Sequence, residues 1–268
     1  MKLITYDTTK FMEDYYSYVA DIISQINLTN PCYLNHNHNL HNKEHLIEAY
    51  RNNFKQIYVN VEDAPISNGL VESSICIIEY SKGNTTKHEK KLQYYKTHLN
   101  KFVYMPFVPN IEVSTEPRVN TYDVVTSFYN ITHIRRQSIV DNLINDSTIN
   151  YINTPKLWGE SIYSNFYSKT KILLNVHANQ ENRVLEEIRV LPAILSKAIV
   201  ISEKSCYSEL LPYKDYIIWV DYENIYSTIK DVLTNYSHYY NKFFSNTNVQ
   251  EILYNLKRES ISSLKTLL

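Results

Sequence analysis

The sequence predicts an α/β protein built from two successive layered domains that face each other across a cleft. Apolar segments of strand length alternate with segments whose apolar residues recur at helical spacing. This alternation implies parallel strand pairing, with helices packed on the sheet. A proline-bearing segment interrupts the alternation near the middle of the chain, after which it starts again. At 268 residues the chain can form two small domains, each with its own core.

The first half of the chain carries apolar runs of strand length with helix-patterned residues between them. Residues 2–7, KLITYD, predict a first strand, and the apolar spacing from Phe11 to Ile26 predicts a helix. A polar stretch, LNHNHNLHNKEH, follows. Further strands are predicted at QIYVNVED (56–63), SICIIEYS (74–81) and FVYMPFVP (102–109), with a helix at 86–99 between the last two.

A segment with three prolines separates the two halves of the chain. Pro106, Pro109 and Pro117 lie within MPFVPNIEVSTEPRVN, and proline disfavours both a continued helix and a central strand. We therefore expect a first domain at residues 1–118 and a second domain at residues 119–268 that ends in helices.

The second half of the chain repeats the alternation of strands and helices. Strands are predicted at YDVVTSF (122–128), INYINT (149–154), KILLNVH (171–177), AIVISE (198–203) and YIIWVD (216–221). Helices are predicted at RRQSIVDNLIND (135–146) and NRVLEEIRVLPAILS (182–196). In the second helix, the spacing predicts that Val184, Ile188, Leu191 and Leu195 pack on the sheet, and that Arg183, Glu186, Glu187 and Arg189 face solvent or the cleft.

Composition and charge exclude several classes of protein. With 27 basic and 28 acidic residues the net charge is −1, which disfavours nucleic acid or an anionic membrane as the main partner. No apolar run approaches the length of a membrane span, so we expect a soluble, cytoplasmic protein without a transmembrane segment. Cys32, Cys76 and Cys206 lie far apart, and this spacing predicts neither a disulfide framework nor a zinc site.

Polar residues follow three of the predicted strands in the second domain. Because ligands of open α/β sheets bind beyond the carboxyl ends of the strands, these loops are candidate binding segments. Their arginines could hold a diphosphate, and a carboxylate could accept hydrogen bonds from sugar hydroxyls. Such a set suits a nucleotide sugar, although each residue alone could also be an ordinary polar loop residue. The residues are Tyr129, Asn130, Arg135 and Arg136, then His177, Asn179 and Asn182, then Glu203, Lys204 and Ser205.

Residues 122–229 resemble the donor-binding domain of GT-B glycosyltransferases, especially the group-one-like transferases of large DNA viruses and bacteria. The segments that carry the resemblance are YDVVTSFYNITHIRRQSIVDNL, KTKILLNVHANQENRVLEEIRVLPAILSKAIVISEKS and YKDYIIWVDYENI, in the same order and at similar separations. The resemblance implies two Rossmann-like domains facing a cleft. The first domain would lie on the acceptor side, and the second would bind the nucleotide-sugar donor.

The resemblance also implies roles for individual residues. In this family the loop after the first strand of the second domain approaches the donor phosphates, which points to Tyr129, Asn130, Arg135 and Arg136. His177 would lie beside the sugar. The following helix and the ISE turn would contact the nucleotide and ribose through Asn182, Glu186, Arg189, Glu203 and Lys204. From this set we take Arg135, Arg136 and His177 as the catalytic candidates, the two arginines stabilising the departing diphosphate.

Three features depart from the family pattern. Arg189 stands where many retaining members carry a second glutamate, and Ser196 or Lys197 replaces a glycine before the next strand. Pro192 lies within the predicted helix. The sequence lacks the DxD triplet of the other major transferase fold, so we expect no metal and no cofactor beyond the nucleotide sugar itself.

Residues in the first domain leave several alternatives open. An inverting enzyme would need a base there, for which Glu62, Asp63 and His36 are candidates. The histidines at 36, 38, 41 and 45 could line an acceptor loop, bind a metal or lie on an ordinary surface.

The sequence therefore predicts a glycosyltransferase that moves a sugar from a nucleotide-sugar donor to a glycan, protein or small acceptor. Two alternatives are a non-catalytic nucleotide- or sugar-binding module with a decayed transferase fold, and a nucleotide-sugar epimerase. The chain contains 25 Tyr and only 3 Gly, a bias that suggests an AT-rich source such as a large DNA virus. In that case the protein would act in the host cytoplasm.

Overall fold

The chain forms two compact units, each built on a parallel sheet. The first unit comprises Met1–Phe107 and Asn255–Leu268, and the second comprises Val108–Tyr254. None of the helices among the described residues is long and apolar enough to cross a bilayer. The computed structural model describes residues 3–4, 13–28, 32–36, 51, 55–60, 66, 68–84, 98–111, 119–128, 131–154, 166–178, 184–245 and 248–268.

The first unit contains a five-stranded sheet in which every described pairing is parallel. Its strands follow the chain in the order β1-β2-β3-β4-β5, and the α/β class predicted from the sequence is confirmed. Strand β2 was not predicted, because it runs into the polar stretch of asparagine and histidine residues. The strands are β1 (Leu3–Ile4), β2 (Cys32–His36), β3 (Lys55–Asn60), β4 (Ser74–Glu79) and β5 (Phe102–Tyr104).

Tyrosines of helix α1 (Glu13–Ser24) serve as core residues of the first unit. Tyr15 and Tyr16 are buried, and their hydroxyls donate hydrogen bonds to the backbone oxygens of Met105 and Leu34, each at 2.8 Å. A buried tyrosine hydroxyl requires such a partner, and these backbone oxygens supply it. Part of the unusual tyrosine content is therefore ordinary packing. Helix α2 (Asn68–Ser73) is a further short helix of this unit, which the sequence did not indicate.

A carboxyl group is buried at the end of β4 in the first unit. Glu79 and Asn60 are adjacent in the register of β3 and β4, and neither side chain is exposed. Asn60 Nδ2 donates to Glu79 Oε1 at 2.9 Å, and Asn84 Nδ2 donates to Glu79 Oε2 at 3.3 Å. Amide groups therefore replace water around this carboxyl group, which makes it sensitive to the loss of either donor.

Replacing Asn60 with leucine should lower the free energy of unfolding by about 2 kcal/mol, because it removes an amide donor to a buried carboxyl group. Hydrogen exchange of peptides from β3 and β4 in increasing urea measures this loss locally. The same change at Asn142, which is exposed on the second unit, is the matched control and should leave that exchange unaltered. Equal protection of β3 and β4 in both variants would show that the Asn60 hydrogen bond contributes little.

The second unit contains a five-stranded parallel sheet with a change of winding direction. The strand order is β10-β9-β8-β6-β7, so β6 pairs with β7 on one side and with β8 on the other. In doubly wound sheets ligands bind at the carboxyl end of such a switch point. Its strands are β6 (Tyr122–Thr126), β7 (Tyr151–Asn153), β8 (Thr170–Asn175), β9 (Ile199–Glu203) and β10 (Ile217–Val220).

In the part of the chain that the structure describes, five α-helices follow or connect the strands of the second sheet. The last of them begins in the second unit and ends in the first, where Lys257 Nζ lies 5.0 Å from the centre of the Tyr18 ring. The structure thus divides the chain after Phe107, and it groups residues 255–268 with the first unit. The helices are α3 (Ile134–Asn145), α4 (Glu187–Leu195), α5 (Ile225–Thr234), α6 (Tyr236–Phe244) and α7 (Val249–Leu267).

Helix α4 is more deeply buried than its sequence suggests. The apolar face predicted at Val184, Ile188, Leu191 and Leu195 is confirmed as buried. Glu187 was predicted to face solvent or the cleft, and this is wrong, because its side chain is fully buried. The helix begins at Glu187, whereas the sequence predicted a helix from residue 182. Residues 184–186 precede the helix.

The end of α4 adopts a glycine-like backbone without a glycine. Lys197 has φ 58°, in the left-handed region that favours glycine. Its backbone N–H donates to the oxygen of Ile194 at 2.9 Å, and the N–H of Ala198 donates to the oxygen of Ala193 at 2.9 Å. The turn into β9 is therefore closed by backbone hydrogen bonds. Pro192 lies inside the helix, as the sequence predicted.

Candidate functional site

The loops after β6 and β8 meet at the switch point of the second sheet, and Arg136 joins them. Arg136 lies in the first turn of α3 and is almost fully buried. Its Nε and Nη2 both donate to the backbone oxygen of Val176, at 3.1 and 2.9 Å, and its guanidinium lies 4.5 Å from the centre of the Phe128 ring. Burial lowers the pKa of Arg136 to about 10, and the nearby charge of Arg189 adds to this effect. One buried cation thus fixes the loops on both sides of the switch point.

Glu186, the residue before α4, is the centre of the charged cluster. Its Oε1 faces two guanidinium groups, those of Arg136 at 3.7 Å and Arg189 at 3.9 Å. Its Oε2 accepts a hydrogen bond from Asn175 Nδ2 at 2.9 Å and lies 3.5 Å from His177 Nδ1. Burial alone would raise the pKa of Glu186, but the charges of His177 and the two arginines lower it to about 2. Glu186 is therefore ionised at neutral pH.

Arg189 is the least satisfied cation in this cluster. Only 11% of its side chain is exposed. Neither Nε nor Nη1 has a hydrogen-bond partner among the residues that the structure describes, and its contact with Glu186 is long. A nearly buried guanidinium without acceptors is unfavourable, since water cannot replace the missing partners. The cluster therefore places two arginines and a histidine around a single carboxylate and has spare N–H donors.

His177 follows β8 and is fully buried. Its Nε2 lies 3.3 Å from the backbone oxygen of Lys204 and 3.2 Å from Ser205 Oγ. Its backbone N–H donates to Glu203 Oε2 at 3.2 Å. Burial lowers the pKa of His177, but Glu186, Glu203 and the Lys204 oxygen together raise it above its ordinary value.

Arg135 and Glu203 form a second ion pair beside the first cluster. Arg135 Nη2 donates to Glu203 Oε1, and the Arg135 guanidinium lies 4.3 Å from the centre of the Tyr222 ring. The Tyr222 hydroxyl also donates to the Arg135 backbone oxygen at 2.6 Å, so Arg135 contacts Tyr222 through both its side chain and its backbone. Lys204 lies at the exposed rim, where it pairs with Asp221 at 2.8 Å. The Arg135 and Glu203 side chains thus brace α3 against the end of β9.

Sequence reasoning missed a group of buried hydroxyls at the end of β6. Ser127 Oγ lies 3.0 Å from the Tyr167 hydroxyl and 3.2 Å from Thr154 Oγ1, which in turn donates to the Thr126 backbone oxygen. Arg189 acts electrostatically on Tyr167, which connects this group to the charged cluster. No sequence pattern indicated this group, because its hydroxyls come from three segments that are separated in the sequence.

The structure brings six of the predicted site residues together at one edge of the second sheet and places Lys204 at its rim. Four further candidates, Tyr129, Asn130, Asn179 and Asn182, lie outside the described residues, as do Glu62, Asp63 and the histidines at 38, 41 and 45. Within the described part of the chain no group of three or more histidine, cysteine or acidic residues could hold a metal ion. The six are Arg135, Arg136, His177, Glu186, Arg189 and Glu203.

Two solved structures of GT-B glycosyltransferases resemble the whole chain. An α1,3-fucosyltransferase with GDP has a TM-score of 0.55 and 12% identity, over 99% of this chain and 88% of that one. T4 phage BGT in complex with UDP and Mn²⁺ has a TM-score of 0.54 and 11% identity, over 100% of this chain and 97% of that one. A UDP-N-acetylglucosamine 2-epimerase is less similar, with a TM-score of 0.40 and 12% identity over 96% of this chain and 77% of that one.

Sequence comparison finds a viral relative and no family profile. No known protein-family profile matches the chain. An uncharacterized protein of Acanthamoeba polyphaga mimivirus is 35% identical over 78 residues, which span 28% of this chain and 28% of the relative. The predicted resemblance to GT-B glycosyltransferases is confirmed at the level of the fold.

Proposed function

We propose that the protein is a glycosyltransferase that binds the diphosphate of a nucleotide-sugar donor at the carboxyl edge of the second sheet. The observation that carries the proposal is the nearly buried Arg189, whose Nε and Nη1 have no acceptor among the described residues. A diphosphate supplies the acceptor oxygens and the negative charge that this guanidinium lacks. The position at a topological switch point supports the proposal, as does a fold shared with transferases solved with GDP and UDP.

In the proposed reaction the three arginines have different roles. Negative charge builds up on the diphosphate as the bond from the sugar breaks, and fixed cations stabilise that charge. Arg189 would donate to the phosphate oxygens. Arg136, which is held by Val176, would contribute its charge without moving. Arg135 is engaged by Glu203 and Tyr222, so we assign it to the support of the site.

The two acidic residues have separate places in this proposal. Glu186 holds the cluster together, because three basic groups face its carboxylate. Glu203 retains lone pairs beyond those used by Arg135 and the His177 N–H, and we assign them to ribose hydroxyls, as the family resemblance implies. We further propose that the acceptor is a glycan or another compound with a hydroxyl group.

A thermal-shift panel tests the donor site. UDP, GDP, CMP and their sugar conjugates are added with Mn²⁺ or with a chelator, since one of the similar transferases was solved with Mn²⁺. A ligand at about 100 times its Kd stabilises the folded state by about 2.7 kcal/mol, so a nucleoside diphosphate should raise the Tm by several degrees. Folded protein that responds to none of these compounds would contradict the proposal.

Donor hydrolysis then separates an enzyme from a binding module. A transferase is expected to release the nucleoside diphosphate slowly from the sugar conjugate that binds best, even without acceptor. Binding without any release, with or without Mn²⁺ and candidate acceptors, would favour a non-catalytic module. Interconversion of free nucleotide sugars would instead indicate an epimerase.

A further inference from the structure

Both ring nitrogens of the buried His177 face groups that accept hydrogen bonds. Nε2 lies 3.3 Å from the backbone oxygen of Lys204, and Nδ1 lies 3.5 Å from Oε2 of Glu186. A carbonyl oxygen and an ionised carboxylate can only accept, so each contact is favourable only when the nitrogen carries a proton. Ser205 Oγ, 3.2 Å from Nε2, can accept as well while its own proton points to the Glu203 oxygen. The surroundings therefore favour a ring that is protonated on both nitrogens.

The charged groups around His177 come from each element packed against it. Burial opposes a charged ring, but two carboxylates and a backbone oxygen outweigh it and raise the pKa of His177 above the ordinary value. Three arginines are paired in turn with these two carboxylates. The carboxylates are Glu186 before α4 and Glu203 at the end of β9, and the cations are Arg135 and Arg136 of α3 and Arg189 of α4.

Glu186 connects His177 to Arg189, the residue that we assign to the diphosphate. One carboxylate oxygen faces the imidazole and the other faces Arg189. When His177 loses its proton, the charge of Glu186 is balanced by the arginines alone. The carboxylate then attracts Arg189 more strongly and repels an incoming anion. A proton on His177 therefore frees Arg189 for an external ligand, and a bound anion in turn strengthens the hold of His177 on its proton.

We propose that His177 is a positioning residue that couples binding of the nucleoside diphosphate to protonation of its own buried ring. The inference rests on the proposed function, in which the anion is the diphosphate of the donor. Affinity is greatest when the ring is charged and falls as the pH rises through the pKa of His177 in the ligand-free protein. Because the folded protein raises that pKa, the stabilising effect of the charged ring is complete below about pH 6.5 and is lost as the pH rises through the folded value.

Calorimetric titration with UDP and GDP from pH 6 to pH 9 tests the coupling. Wild-type affinity should fall as the pH rises through the pKa of His177 in the ligand-free protein, by at most about tenfold per pH unit for the uptake of one proton. His177→Gln should show only the pH dependence that comes from ionisation of the nucleotide itself. His238→Gln removes an exposed histidine of the same unit, and it should retain the wild-type profile. Titration of the wild type in two buffers of different ionisation enthalpy measures the proton uptake directly.

Nitrogen NMR of the ligand-free wild-type protein measures the protonation of the His177 ring directly, so this test does not require a folded variant. Because the folded protein raises the pKa of His177 above 6.5, its ring should carry protons on both nitrogens at pH 6 and lose one of them as the pH rises. A neutral ring at pH 6, or the same pH profile in wild type and His177→Gln, would overturn the coupling alone. Failure of both nucleotides to bind at every pH would overturn the proposed function and the coupling with it.

Discussion

Replacing Arg189 with methionine is expected to weaken binding of a nucleoside diphosphate about 10- to 100-fold and to stabilise the ligand-free protein. The affinity falls because a charge-assisted donor to the phosphates is lost, which is worth about 1.5–3 kcal/mol. The stability rises by about 1 kcal/mol, because methionine has similar length and no N–H groups that require acceptors, and because repulsion of Arg136 ends. A substitution that weakens ligand binding but stabilises the ligand-free protein is typical of a ligand-binding residue.

Two measurements on the same variant check this result. Calorimetric titration gives the affinity for the nucleotide that produces the largest thermal shift, and the melting temperature without ligand gives the stability. Arg258→Met, at an exposed position on α7, is the matched control and should change neither quantity. Reduced stability of Arg189→Met at unchanged affinity would mean that the guanidinium is a structural group.

Replacing Glu186 with glutamine is expected to have the opposite pair of effects. Arg136, Arg189 and His177 lose their shared counter-charge, which should lower the free energy of unfolding by about 2–4 kcal/mol. The excess positive charge should strengthen binding of the diphosphate, provided that the variant remains folded. The glutamine oxygen can still accept the hydrogen bond of Asn175, so the change isolates the charge.

The size of the loss of stability in Glu186→Gln depends on pH. The folded protein lowers the pKa of Glu186 to about 2, from an ordinary value of 4.5. Its contribution to stability is therefore present above about pH 4.5 and is lost as the pH falls through about 2. Melting temperatures of wild type and Glu186→Gln should converge in acid and differ at neutral pH. Glu209→Gln, at an exposed position, is the control, and a similar loss there would contradict a specific role for Glu186.

The sheets could be predicted because most strands are buried apolar runs. Strands β8 and β9 each contain three consecutive buried aliphatic residues, Ile172–Leu174 and Ile199–Ile201, as is typical of parallel strands covered on both faces. Strand β2 could not be predicted, since Asn35 is polar and yet fully buried. Its place is fixed by pairing with β1 and β3, which are distant in the sequence. Local periodicity carries no information about such tertiary contacts.

The location of the candidate site could be predicted, but its internal pairing could not. The rule that ligands lie beyond the carboxyl ends of strands brought Arg136, His177 and Glu203 to one edge of the sheet. The choice of Glu186 as the shared carboxylate depends on where α4 begins, because Glu187 is turned into the core instead. A few residues of error in a helix boundary are enough to exchange the roles of neighbouring glutamates.

The left-handed Lys197 explains how a shared fold can escape detection by sequence. Glycine signatures help to identify nucleotide-binding α/β domains, and this chain contains only 3 glycines. At the end of α4 it keeps the glycine-like turn but builds it from lysine. A profile that scores residue identity at such turns therefore loses its strongest positions, whereas superposition of backbones is unaffected. Distant relatives with a similarly glycine-poor composition are better sought by superposition of main chains than by comparison of sequences.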